Sequence, residues 1–317
     1  MRSNSVLCTG IIVTDHVCAP VDHMPSAGEL VLTDKIELTL GGCAANVSTA
    51  LAKLGIQANL VGRIGDDIAG DVIRQLLEKS GVSTAGLIRT SGIETSQTLI
   101  VNVLGQDRRF IHTYGSNSLF SAADIPIEPL SDIIYIGGYL LMKKCTPDEL
   151  APVLAKARQG GALVVLDVVT PGKADYQPWL KPVLPYVDYF LPNDHEGELI
   201  TGLASPQAQA SVFRDMGARN VLITRGDKGT LWSGEGVQIE TGIFNVPFVD
   251  GSGSGDAFAA GLILGLLEGR PAMEVLQIAS ATGASCVRAL GTTQGVFTRL
   301  ELADFLEKNR LEQKMIL

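Results

Sequence analysis

Between residues 131 and 226, short apolar runs alternate with segments of helical spacing, and this alternation constrains the chain more than any other feature. The runs are "SDIIYIGG" (131–138), "ALVVLDV" (162–168), "VDYFLPN" (187–193) and "ARNVLITRG" (218–226). Between them lie "TPDELAPVLAKARQGG" (146–161), a helical segment near 176–184, a helix start at "DHEGELIT" (194–201) and "SPQAQASVFRDMG" (205–217). Strands separated by helices of this length imply βαβ crossovers and a parallel sheet. The runs are almost continuously apolar, as strands covered on both faces should be. The chain opens the same way, with "SVLCTGIIV" (5–13) as a first strand, a helix over 43–54 stopped by Gly55, a strand over 58–65 and a helix over 66–81. Three helices, over 254–268, 271–289 and 298–308, close it.

Residues 14–40 and 96–115 break the alternation. They are β-rich with polar interruptions, and "TLIVNVLGQDRRFIHTY" (98–114) reads as a hairpin turning at Gly-Gln-Asp. They are expected to form a small sheet apart from the main one. A hydrophobic fraction of 46% supports a large core, and only 5% aromatic residues make that core aliphatic. The formal charge of −9 argues against nucleic acid as a partner, because binding phosphate backbones needs a basic surface. Five cysteines, Cys8, Cys18, Cys43, Cys145 and Cys286, are odd in number and none has metal-ligand spacing. They read as reduced thiols. No run has the length of a membrane span and the N-terminus reads as a strand, so a cytoplasmic protein without a membrane partner is expected.

In an open α/β sheet, ligands gather at the carboxyl ends of the strands. Four loops there carry chemistry. The first is "DGSGSGDAFAAG" (250–261), where Gly251, Gly253 and Gly255 lie between Asp250 and Asp256 just before an apolar helix. Successive glycines let backbone N–H groups converge on an anion, and the helix N-terminus adds positive potential. Asp256 beside them could take a proton from an attacking hydroxyl. A helix cap on a tight turn would use the same residues, and spacing leaves both readings open. Neither G-x-G-x-x-G nor G-x-x-x-x-G-K-[ST] fits. The second loop is "LGGCAANVSTALAKLG" (40–55), with Gly41 and Gly42 before a helix and the amide of Asn46 one turn in. The third is "LPNDHEGELITG" (191–202), where Asn193 and Glu196 are expected to share a helix face and suit Mg²⁺, in part through water. The fourth is "ITRGDKGTLW" (223–232), where Gly226 and Gly229 break the chain between two strands.

In this order the loops resemble the signatures of the PfkB family, the ribokinase-like carbohydrate and nucleoside kinases, over nearly the whole chain. "GGCAANVSTALAKLG" and "DGSGSGDAFAAG" look like its two signatures, "NDHE" like its N-x-x-E and "TRGDKG" like its nucleotide loop. "GIIVTD" and "GRIGDDIAG" are similar to further family segments. The resemblance implies a single domain over 1–317, a three-layer αβα Rossmann-like core with a mainly parallel sheet, and a small β-sheet lid. It implies ATP-dependent phosphorylation of a sugar hydroxyl, with a nucleoside acceptor or a non-catalytic binding protein as the alternatives. Asp256 would be the base, and Gly253, Ser254 and Gly255 the anion hole. Asp15, Gly41, Gly42 and Asn46 would hold the acceptor, and Asn193, Thr224, Gly226 and Gly229 the nucleotide. Glu196 and Asn193 would organise Mg²⁺, and Asp250 would border a monovalent cation such as K⁺. A homodimer through the lid edge is expected as well. The chain departs from the pattern twice. Gly251 stands where the family has Thr or Ser, and Cys43 where ribokinases commonly have Lys, with Arg63, Arg108 and Arg109 as the cations available nearby.

Overall fold

The computed structural model describes residues 5–106 and 108–316, so Asp107 of the expected hairpin turn lies outside the described residues. In chain order the strands and helices begin with β1 (Val6–Gly10), β2 (Val13–Val21), β3 (Ile36–Gly41), α1 (Cys43–Lys53), β4 (Ala58–Gly65), α2 (Ile68–Lys79) and β5 (Leu87–Thr90). There follow β6 (Gln97–Val103), β7 (Arg109–Thr113), β8 (Ile133–Gly137), α3 (Pro147–Gln159), β9 (Leu163–Asp167), α4 (Gln177–Leu180) and β10 (Tyr189–Leu191). The chain ends through α5 (Asp194–Thr201), α6 (Pro206–Asp215), β11 (Asn220–Thr224), β12 (Thr230–Gly234), β13 (Val237–Thr241), α7 (Ser254–Leu267), α8 (Ala272–Cys286), α9 (Arg299–Lys308) and β14 (Gln313–Met315).

The main sheet has the order β14-β13-β12-β11-β10-β9-β8-β1-β4-β5. It is parallel from β11 to β5 and antiparallel from β11 to β14, so the α/β expectation holds with an antiparallel end. Helices cover both faces. Helix α7 is buried along most of its length because it is apolar all round, and it packs between α1 and α8. That places its first turn, and the glycines before it, over the middle of the molecule.

The second sheet, β3-β2-β6-β7, is the expected lid. Its two faces differ because side chains alternate along a strand. One cross-strand row joins Thr39, Asp15, Thr98 and His112; the next row on the other face joins Leu38, His16, Leu99 and Ile111. The first face carries Val17, Ile100 and Asp15, all buried.

Several expectations need correction. The strand expected over 5–13 is two strands in two sheets, and the break is Gly10 at φ +133. A Cβ there would lie 2.1 Å from the Gly137 carbonyl oxygen, so the chain can turn from core to lid only through glycine. "FNVPFV" (244–249), which reads as a strand before Asp250, forms none. The N–H groups of Val249 and Asp250 bond instead to the Val287 carbonyl just past α8, which pins the glycine loop to that helix. Strands β5, β13 and β14 were not foreseen; β5 and β14 lie at sheet edges and lack an apolar run, and β13 lies between β12 and β14 in the antiparallel end.

Candidate active site

Asp256 sits in the first turn of α7, whose N-cap is Gly253 in the left-handed region at φ 75. A Cβ at Gly253 would lie 2.2 Å from the Thr292 carbonyl oxygen, so this turn requires glycine twice over. A Cβ at Gly255 would meet nothing, so that side of the loop is open. The Gly255 N–H belongs to the set that a helix N-terminus leaves without an intrahelical partner, while the Ser254 N–H makes a long 3.4 Å bond to the Gly251 carbonyl. Asp250 anchors the loop from below: its carboxylate accepts from Ser252 N at 2.9 Å and from Gly291 N at 3.0 Å.

Helix α1 meets this turn. Asn46 Nδ2 donates to Asp256 Oδ2 at 2.8 Å, while Asn46 Oδ1 accepts from Thr292 Oγ1 at 2.9 Å. The Cys43 thiol also bonds the Asp256 carboxylate. Burial pushes Asp256 above the usual carboxylate range, and the bonds from Asn46 and Cys43 pull it back toward the charged form. The lid closes the other side. Asp15 is buried on its inner face, and Gly41 makes the space, because a Cβ there would lie 2.0 Å from the Asp15 carboxylate. Burial pushes Asp15 up to about 7; the Thr98 hydroxyl opposes the rise, and the charges of Asp256 and Asp250 add to it. Gly42, at φ 85, starts α1 where a Cβ would strike the Ile11 carbonyl at 2.6 Å. Asp15, Gly41, Gly42, Asn46 and Asp256 are therefore brought together.

Thr98 links Asp15 to His112 Nδ1, 3.0 Å away. With the Thr98 hydroxyl donating to Asp15, the imidazole donates through Nδ1 and Nε2 becomes an acceptor. His112 Nε2 and Thr39 Oγ1 are buried without hydrogen-bond partners, two polar atoms in the Asp15 row.

Asn193 and Glu196 are coupled differently from the expectation. Asn193 precedes α5 as its N-cap, so the two do not share a helix face. They form a capping box, Glu196 N to Asn193 Oδ1 at 2.8 Å and Asn193 N to Glu196 Oε2 at 2.9 Å. Burial pushes Glu196 up to about 8, bonds from the Asn193 and Thr170 backbone oppose this, and the Asp256 charge adds to it. Thr224 bridges to Asn193 at the ends of neighbouring strands. Gly226 (φ 57) and Gly229 (φ 78) turn the chain from β11 into β12, and a Cβ at Gly229 would lie 1.9 Å from the Thr241 carbonyl oxygen. These four residues line one continuous sheet edge.

Asp167 was missed. It ends β9, accepts from Tyr135 OH at 2.8 Å, and offers an oxygen that lies within 4.8 Å of atoms of both Cys43 and Asp256. Burial, then the charges of Asp256 and Glu196, push it well above the usual carboxylate range. Its signal in the sequence is a lone acid closing the apolar run "ALVVLD" at a strand's carboxyl end. Of the three arginines noted above, Arg63 is committed to Asp124 at 2.8 and 2.7 Å and to Thr90 at 3.1 Å, and Arg109 bonds Gln106. Arg108 lies against Gly251.

Residues 3–299 match the pfkB family carbohydrate kinases. The chain belongs to the PfkB family. Its relatives include ribokinase from Haemophilus influenzae, 29% identical over 306 residues, with 94% of this chain and 97% of that protein covered. An ATP-dependent ribose-1-phosphate kinase from Halopiger xanaduensis is 31% identical over 281 residues, covering 88% and 90%. Among solved structures, ribokinase from Thermotoga maritima superposes with a TM-score of 0.76 at 26% identity, covering 96% and 98%. As a PfkB protein the chain is a phosphotransferase of the sugar and nucleoside kinase class.

Proposed function

We propose that this PfkB protein transfers the γ-phosphoryl group of ATP to a primary hydroxyl of a small sugar, with Asp256 as general base. The observation that carries this is the placement of Asp256. One carboxylate lies at a glycine-lined helix N-terminus, is oriented by Asn46, and faces the pocket of Asp15, Gly41 and Gly42. The acceptor hydroxyl gives its proton to Asp256 as its oxygen attacks in line. The N–H groups of Gly253, Ser254 and Gly255 offset the charge on the transferring group. Thr224, Gly226, Gly229 and Asn193 border the nucleotide.

The donor set at the capping box fits Mg²⁺ held through water. Asn193 Oδ1 and Glu196 Oε2 each accept one backbone N–H, and water between them and the ion would leave the capping box intact. When bound, the ion would neutralise phosphate charge. The loop also fits a monovalent cation: Ser252 Oγ is buried without a partner, one residue from the Gly251–Asp250 anchor.

The pocket favours a sugar over a nucleoside. A base wants a free aromatic face. Phe110 carries the Arg108 guanidinium 5.5 Å from its centroid, and Tyr114 carries the Lys143 ammonium at 3.7 Å. The orphaned polar atoms of Thr39 and His112 suit hydroxyl groups instead. A homodimer would cover the lid's outer face, where Ile36 is 65% exposed, Leu38 41%, Leu99 41% and Ile111 64%. The test is ADP release over a panel of sugars, sugar phosphates and nucleosides, with Mg²⁺, with and without K⁺. Turnover on sugars supports the proposal. Turnover on nucleosides alone, or ligand binding without transfer, overturns it.

A further inference from the structure

Gly251 is the residue at which this chain leaves the family pattern, and its surroundings explain why. It is not among the glycines with positive φ, so its backbone accepts any residue. The three atoms nearest a Cβ placed on it all belong to the Arg108 guanidinium, at 2.6 Å from Nη1, 3.3 Å from Cζ and 3.7 Å from Nη2. The feature that distinguishes this glycine is therefore the arginine beside it rather than its backbone conformation. Arg108 comes from the opposite side of the cleft, on the lid hairpin immediately before β7. Its charge also reaches the Cys286 thiol, whose Sγ bonds the Ser252 carbonyl beneath the glycine loop.

We infer that Arg108 is a phosphoryl-binding residue supplied by the lid, contacting the γ-phosphate of ATP at the glycine loop, and that Gly251 is the space cut for it. The inference rests on the proposed ATP-dependent reaction. A guanidinium presents several N–H donors in a fixed fork suited to phosphate oxygens. Placed at one end of a loop whose other end is a helix N-terminus, it gives the transferring group positive potential from two directions. It also couples lid position to chemistry, because the cation leaves with the lid.

The inference is tested by calorimetric titration of the full chain with Mg²⁺ plus either the β,γ-imido analogue of ATP or ADP. The proteins are wild type, Arg108→Gln, Gly251→Ala and the double variant. Arg108→Gln should bind the imido analogue about tenfold or more weakly, as expected for a lost charge-assisted bond, while ADP binding changes less than about threefold. Gly251→Ala should weaken the imido analogue in the same direction by less, because the methyl group displaces the flexible end of the guanidinium, and the double variant should be no weaker than Arg108→Gln. Equal losses for both nucleotides, no loss for the imido analogue, or additive losses in the double variant would overturn the inference while leaving the kinase reading intact. A wild-type protein that binds neither nucleotide would overturn both.

Discussion

Replacing Asn46 with Ala isolates the bond that holds Asp256 in its charged form. Asn46 Nδ2 donates to Asp256 Oδ2 at 2.8 Å in a buried setting, and that bond opposes the rise in pKa caused by burial. A hydrogen bond to a charged group contributes about 1.5–3 kcal/mol. One pKa unit corresponds to about 1.4 kcal/mol, so losing the bond should raise the Asp256 pKa by about 1–2 units. The sign is fixed: the variant favours the protonated acid, so the acid limb of kcat/KM must move to higher pH. The fold should survive, because Thr292 Oγ1 keeps its 2.6 Å bond to the Leu40 carbonyl. A thermal melt at neutral pH checks this. Cys43→Ala should shift the limb in the same direction by less, since a thiol is a weak donor. The assay is the pH dependence of ADP release with the acceptor found by the panel, since kcat/KM reports groups of the free enzyme. An acid limb that stays in place or moves down would refute the assignment of Asp256 as base.

Two further outcomes follow from the same geometry. Asp167 has a folded-state pKa above its usual 3.8, so the folded protein holds a proton that the unfolded chain releases, and stability falls as pH rises above that value. Asp167→Asn removes this penalty, so its melting temperature should exceed wild type at pH 8, by about 1–2 °C per kcal/mol regained, with the gain shrinking at pH 5; a variant less stable at pH 8 would contradict the buried-charge account. Wild type should sediment as a dimer by analytical ultracentrifugation, and Leu38→Asp combined with Ile111→Asp, on the outer face of the lid, should sediment as a monomer; a monomeric wild type would remove the lid interface altogether.

The parallel core was legible because buried strands and crossover helices impose different periods on the same chain, and the glycine loop because glycines at fixed spacing before an apolar helix have few structural uses. What stayed hidden depends on direction in space. Asn193 and Glu196 have the i, i+3 spacing of a shared helix face, but the same spacing describes a capping box, and only the helix boundary decides between them. Asp167 was not legible as a site residue because its importance comes from Asp256, 89 positions later, approaching across the sheet. Gly251 and Arg108 each looked like a loose end. Their meeting depends on how the lid folds over the core, which no local pattern encodes. The strand misread at 244–249 has a simpler cause: none of the described strands pairs with it, and the end of α8 supplies the backbone acceptor instead.

The central claim is that Asp256 is the base for phosphoryl transfer from ATP to a sugar hydroxyl. The most direct measurement follows transfer of labelled γ-phosphate onto the acceptor by wild type and by Asp256→Asn, with nucleotide binding measured on the same samples. The account predicts that the variant binds ATP as wild type does and loses at least about 10²-fold in kcat, the scale of general-base catalysis. Near-normal kcat in Asp256→Asn, or no sugar labelled by wild type, would contradict it.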